Sequence, residues 1–310
     1  MRRLKIIFMG TPEFAVASLD ALFHGNHDVV AVVTVADKPA GRGQLVHISA
    51  VKKYALEKSI PVLQPLKLKD EAFLEELRNL SADLFVIVAF RMLPEVVWNM
   101  PPLGSVNLHG SLLPKYRGAA PINWAVINGE KETGVTIFFL QHEIDTGRVL
   151  QRKVIPIGEN ETAGELHHRM MEIGADTLLD AVNRIAKGET DAVEQNELMI
   201  ADEIIPRAPK IFKEDCRIDW GMSVDAIHNF VRGMSPYPAA WTMLGDKSLK
   251  IYMGEKRKDN SASVIWSTDG KTYLHFNCSD GSYAITDLQL EGKKRMQIVE
   301  FLRGWRPPVA

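Results

Sequence analysis

The chain has 310 residues, with 37 Lys and Arg against 39 Asp and Glu and 46% hydrophobic residues, so it is nearly neutral and has ample apolar material for a core. That length exceeds a usual single domain and fits two. Two widely separated cysteines, Cys216 and Cys278, exclude a disulfide framework and a cysteine zinc site, and without an apolar run of about eighteen residues or a basic, apolar leader, a cytoplasmic protein is expected.

In chain order, Arg3 to Met9 reads as a short apolar strand closed by Gly10-Thr11-Pro12, and Pro12 suits the start of a helix. Phe14, Val16, Leu19, Leu22 and Phe23 have helical spacing, and Val29 to Val35 supplies a second buried strand. Helices near Ser49 to Lys58 and Asp70 to Leu80 then alternate with strands at Pro61 to Leu63, Asp83 to Ala89 and Gly104 to His109. This alternation predicts an α/β fold with a doubly wound, Rossmann-like parallel sheet. Gly10 belongs to no G-x-G-x-x-G, so no dinucleotide site is expected. The loop from Ala36 to His47 is long for such a sheet and combines Gly41 and Gly43 with Lys38 and Arg42, which suits a functional loop.

Chemistry concentrates at the end of the strand Gly104 to His109. Side chains at i and i+2 share a strand face, so Asn107 and His109 project into one cleft. An amide and an imidazolium on one face suit acyl transfer, because both can hydrogen-bond a developing oxyanion. A histidine beside a glycine is also a common structural residue. Asp145, in His142-Glu143-Ile144-Asp145-Thr146-Gly147, is the carboxylate best placed to hold or charge the imidazole; it lies in the turn between strands at Thr133 to Leu140 and Arg148 to Ile155, facing the same rim.

A long amphipathic helix follows from Thr162 to about Lys187; His167 and His168 on it point about 100 degrees apart and read as packing or surface residues. From Gly188 to about Phe212 the apolar period fades, giving residues 1–188 as the catalytic domain, 189–212 as a linker and 213–310 as a second domain. Within that domain a helix near Ser223 to Arg232 precedes short alternating runs, which predict a small β-barrel. Residues 205–310 carry 16 Lys and Arg against 12 Asp and Glu, whereas residues 1–204 carry 21 against 27. A positive second domain with the triplets Lys256-Arg257-Lys258 and Lys293-Lys294-Arg295 is consistent with binding phosphates, and a solvated face has the same pattern.

The block N-x-H-G-S-L-L-P-x-Y-R-G-A-A-P from Asn107, with D-T-G at Asp145, resembles the folate-dependent formyltransferases. Gly10-Thr11-Pro12-Glu13-Phe14, the Asp37 to Gly43 loop and Gly292 to Met296 make it most similar to those members that formylate methionine on initiator tRNA. The resemblance implies Asn107, His109 and Asp145 as catalytic residues and 10-formyltetrahydrofolate as co-substrate, with no metal. Ser111, Leu112, Leu113 and Pro114 would line the pterin and formyl end of its pocket. Phe90-Arg91 would border the folate through the backbone, since many members carry Tyr-Gly there. Lys38, Arg42, Lys293, Lys294 and Arg295 would meet tRNA on an OB-like barrel and the long loop. A monomer is expected. The alternatives are a formyltransferase acting on an amino sugar nucleotide, a glycinamide ribonucleotide enzyme, which leaves the last third unexplained, and a catalytically idle RNA-binding protein.

Overall fold

A computed structural model describes residues 2–40, 45–200, 204–258 and 265–305, with the backbone alone at 38–40, 45 and 46. In chain order its elements are β1 (Lys5–Gly10), α1 (Glu13–His24), β2 (Asp28–Val33), β3 (Lys38–Ala40), β4 (Leu45–His47), α2 (Ala50–Glu57), β5 (Val62–Leu63), α3 (Glu71–Leu80), β6 (Leu84–Val88) and α4 (Glu95–Trp98). There follow β7 (Ser105–His109), β8 (Arg117–Gly118), α5 (Pro121–Ile127), β9 (Glu132–Phe139), β10 (Val149–Pro156), α6 (Ala163–Lys187) and β11 (Arg207–Ala208). The last stretch holds α7 (Val224–Met234), β12 (Ala240–Leu244), β13 (Lys247–Arg257), β14 (Trp266–Thr268), β15 (Leu274–Asn277), β16 (Ser282–Leu290), β17 (Met296–Gln297) and α8 (Ile298–Gly304). Among the described residues no helix is long and apolar enough to cross a membrane.

Two compact units result. One contains Met1–Gly118, Gly134–Ile155 and His167–Arg207; the other contains Ala119–Thr133, Pro156–Leu166 and Ala208–Ala310. Two segments from before residue 188 therefore cluster with the C-terminal unit.

In the first unit seven strands form one sheet in the order β10-β9-β7-β6-β1-β2-β5. Its central strands are apolar on both faces, as a sheet covered by helices requires: all five residues of β6 are buried. Burying a Leu, Ile or Phe contributes roughly 1.5–3 kcal/mol, whereas the exposed Arg78–Glu71 ion pair is worth about 0–1 kcal/mol. Burial therefore holds the sheet. Helix starts are fixed by Ser49 and Asp70, whose side chains accept backbone N–H groups of α2 and α3. At Gly10 a Cβ would lie 2.8 Å from Ala15 Cβ, so glycine there lets α1 pack against the end of β1. On α6, His167 packs on Phe14 with ring centroids 4.9 Å apart and burial lowers its pKa, while His168 is exposed.

The chain runs outward from β1 to β2 and β5, then returns to β6 and β7. The C-terminal ends of β1 and β6, where Gly10 pairs Val88, thus mark the switch point at which open α/β sheets bind ligands. The sheet is not parallel throughout, because β9 runs antiparallel to β7, pairing Thr136 with His109 and Phe139 with Val106. The helix between them, α5, packs against α7, whereas a parallel return would need a helix crossing over the sheet.

The second unit holds an antiparallel sheet in the order β12-β13-β16-β15-β14, with β17 added to β16. The expected small barrel takes the form of this half-barrel. Val224, Ile227, Val231 and Met234 of α7 pack into a core with Leu249, Ile251, Phe276, Tyr283 and Leu288. Trp220 stacks on Phe276 at 4.4 Å.

Candidate active site

His109 closes β7, buried, with Nε2 2.9 Å from the carbonyl oxygen of Tyr116. A carbonyl only accepts, so Nε2 carries a hydrogen and donates it there. The ring edge left over is Nδ1, which faces Asp145 Oδ2 at 3.8 Å. That gap is too long for a direct hydrogen bond and leaves Nδ1 able to meet a third group. Two residues earlier on the same strand, Asn107 is half-buried and its side chain has no hydrogen-bond partner among the described residues. An amide held on a sheet strand without a partner is a donor available to a ligand.

Asp145 reaches this pair by an indirect route. Since β9 runs back along β7, the loop after it departs from the far end, where Leu140 N bonds Ser105 O, and then doubles back. The Asp145 backbone is left-handed (φ 56°), which Asp tolerates better than most residues. Its Oδ2 accepts from Gly118 N at 3.0 Å. The loop closes on Gly147, where an added Cβ would sit 1.7 Å from Phe139 O, so no other residue fits without moving backbone. Gly147→Ala is expected to displace Asp145 and lower turnover by about a hundredfold, the scale of a 1 Å misplacement. Steady-state rates beside a melting curve check this, and unchanged turnover would show that the loop position is immaterial.

The segment Gly110 to Gly118 is braced from β9. Thr136 Oγ1 donates to Ser111 O at 2.7 Å and accepts from Leu113 N at 3.1 Å. Ser111 Oγ donates to Lys115 O at 2.6 Å, and Leu113 is packed with Phe138 and Val149. Of the four residues expected along a pocket, Ser111, Leu113 and Pro114 are thus buried, and Leu112 is half-buried. Phe90 packs partly into the core, and Arg91 donates to the carbonyls of Pro65 and Leu66 while lying 5.7 Å from the Phe90 ring. The Arg91 side chain ties the β5 and β6 loops together.

Of the residues expected near tRNA, Arg42 lies outside the described residues, and Lys38 is described in its backbone alone. The base of their loop is anchored by Asp37, which takes hydrogen bonds from Lys52 Nζ and, at 2.8 Å, from Gln64 Nε2. The Lys52 bond above all holds the Asp37 carboxyl below its usual range. In the second unit Lys293 and Lys294 are exposed, whereas Arg295 is engaged: its guanidinium grips Asp287 and stacks 4.1 Å from the Tyr252 ring. Lys256 is likewise paired, with Asp225 and Glu159.

Sequence reasoning missed Gln195, inside the stretch taken as a linker. It is 2% exposed, donates to the carbonyls of Asp145 and Gly147, and accepts twice from Arg117. Burial pushes the Arg117 guanidinium pKa down and the nearby Asp145 charge pulls it back up. No local pattern marks Gln195. Thr11 Oγ1, at the end of β1, is buried with no partner among the described residues, and its only sequence signal was the Gly-Thr-Pro turn. Among the described residues no group of three His, Cys, Asp or Glu is placed to hold a metal ion.

Comparison with known proteins adds the following. The formyl transferase profile matches residues 3–182, and the profile of the formyl transferase C-terminal domain matches residues 210–306. A methionyl-tRNA formyltransferase of Parabacteroides distasonis is 53% identical over 98% of this chain and 96% of its own length. One from Flavobacterium johnsoniae is 50% identical over 98% and 97%. Among solved structures, an N-formyltransferase from Helicobacter canadensis, in complex with folinic acid and dTDP-3-aminofucose, superposes with a TM-score of 0.68 at 21% identity, over 94% of this chain and all of that one, a likeness of fold.

Proposed function

The chain belongs to the formyl transferase family, and from that premise we infer that it transfers a formyl group to the α-amino group of methionine carried by initiator tRNA. The observation that carries this reading is an identity near one half to methionyl-tRNA formyltransferases over almost the full length of both chains. The Helicobacter canadensis enzyme shares the fold at far lower identity, which leaves the amino sugar nucleotide as the second reading. We place the protein in the cytoplasm, where initiator tRNA is charged and used.

The proposed donor is 10-formyltetrahydrofolate, and the site fits such a molecule in two respects. Asn107 offers an unspent amide on the His109 face. Leu66, Met92 and Ile144 are 81%, 76% and 62% exposed on the loops after β5, β6 and β9, and those loops are tied together by Arg91 and by a 3.2 Å contact between His142 and Glu95. Exposed apolar side chains together with an unspent amide suit a planar ring system with polar edges.

The donor supplies an electrophilic formyl carbon on an amine that departs. The protein's part is to orient the pair and manage charge. Asn107 Nδ2 and a proton on His109 Nδ1 stabilise the negative charge gathering on the formyl oxygen, because Nε2 is already committed to Tyr116. Asp145 Oδ2 is held by Gly118, so its other oxygen takes up the proton released by the attacking amine, directly or through a water, and returns it to the departing nitrogen.

Capture of tRNA is assigned to Lys293 and Lys294, with Arg42 and Lys38 near the aminoacyl end. Arg295 belongs to the protein's own structure more than its two neighbours do, since Asp287 already takes its charge. Changing Lys293 and Lys294 together to Ala is expected to raise the Michaelis constant for tRNA several-fold and to leave folate affinity alone. The wild-type constant itself should climb steeply with salt as counterion release loses its advantage. A titration of rate against tRNA at three ionic strengths checks both, and insensitivity to salt and to the double change would put the sugar nucleotide ahead.

A further inference from the structure

We propose that Gln195 is a positioning residue for Asp145, its side-chain amide fixing the loop that carries the carboxylate and tying it, through Arg117, to the segment after His109. The inference rests on the role given to Asp145 above. Residue 195 falls between the two matched stretches, 3–182 and 210–306.

The amide is used to capacity. Nε2 donates one hydrogen to Asp145 O at 2.9 Å and the other to Gly147 O at 2.8 Å, while Oε1 accepts from Arg117 Nε at 3.0 Å and Nη2 at 2.6 Å. A side chain 2% exposed leaves no room for water to take over these bonds, so losing them leaves buried carbonyls and a guanidinium unpaired.

The loop needs an outside support. It leaves β9 from the end remote from His109, turns through a left-handed aspartate, and among the described residues its internal side-chain bonds are confined to Gln141, Glu143 and Thr146. Gln195, by contrast, is placed independently of the loop. Val193 pairs with Val149 of β10 through two backbone bonds of 2.8 and 2.9 Å, and Leu198 packs against the cluster of Leu113, Phe138 and Val149. The amide therefore transmits the position of the sheet to the main chain at Asp145. Gly118 N then aims the carboxylate.

The test uses the full chain with Gln195→Met, which removes all four bonds, and Gln195→Glu, which keeps an acceptor for Arg117 but removes the donors to the loop. Each is made in the wild-type and in the Asp145→Asn background. Deuterium exchange across residues 141–147 is expected to quicken in both variants more than in the sheet strands, with a melting temperature lowered by the buried groups left unpaired. In the wild-type background kcat is expected to fall about tenfold to a hundredfold with both Michaelis constants kept. In the Asp145→Asn background the further loss is expected to stay under about twofold, the non-additivity of residues acting through one group. Unchanged exchange in both variants, or an equal loss of kcat in both backgrounds, overturns the proposal. Wild-type turnover in Asp145→Asn alone contradicts the role of Asp145, and the clamp then stands or falls on the exchange. If Gln195→Met fails to fold, Gln195→Glu decides.

Discussion

An enzyme carrying His109→Ala is expected to turn over about a hundredfold or more slowly than wild type, and Asn107→Ala by a similar factor, the scale on which an oxyanion donor is lost. The two losses differ in what else they disturb. Removing the imidazole also removes the bond that Nε2 makes to Tyr116 O in the segment after β7, so some of that fall comes through the loop. Asn107 has no partner among the described residues, so its truncation leaves every described hydrogen bond in place. A large fall in kcat with unchanged folate binding and melting temperature then reports on the reaction alone. Near-normal turnover in Asn107→Ala would remove it from the oxyanion site.

Asp145→Asn is expected to cost about as much, for a reason of charge rather than shape. The left-handed backbone at 145 is one that Asn adopts at least as readily as Asp, and the amide oxygen can still accept from Gly118 N. The loop therefore keeps its course. What disappears is the carboxylate facing His109 Nδ1 across 3.8 Å, the group proposed above to take the proton from the attacking amine. A rate within a few-fold of wild type would show that another base is at work.

Much of this site is readable in the sequence, because its chemistry lies on strands, where period and spacing are informative. Asn107 and His109 share a face because strands alternate, and the apolar runs around them are those that β6 and β7 bury. The D-T-G turn was also visible as a gap between two apolar runs. Its path was not, since the direction of β9 is decided by which partner it pairs with and not by its own residues. Gln195 was unreadable for the same reason: its four bonds reach three residues that lie 48 to 78 positions away. The basic triplet shows the opposite error, in which composition promised three equal cations and tertiary contacts consumed one, Arg295, on Asp287. Arg91 is similar, a cation at a strand end whose guanidinium is spent on the carbonyls of Pro65 and Leu66.

The central claim is the identity of the acceptor, and one measurement addresses it directly. Purified enzyme, 10-formyltetrahydrofolate and methionyl-initiator tRNA are mixed, with a dTDP-linked amino sugar in a parallel reaction, and formylated product is counted in each. Rapid formation of N-formylmethionyl-tRNA with no formylation of the sugar is the predicted result. Formylation of the sugar with none on the tRNA would contradict it.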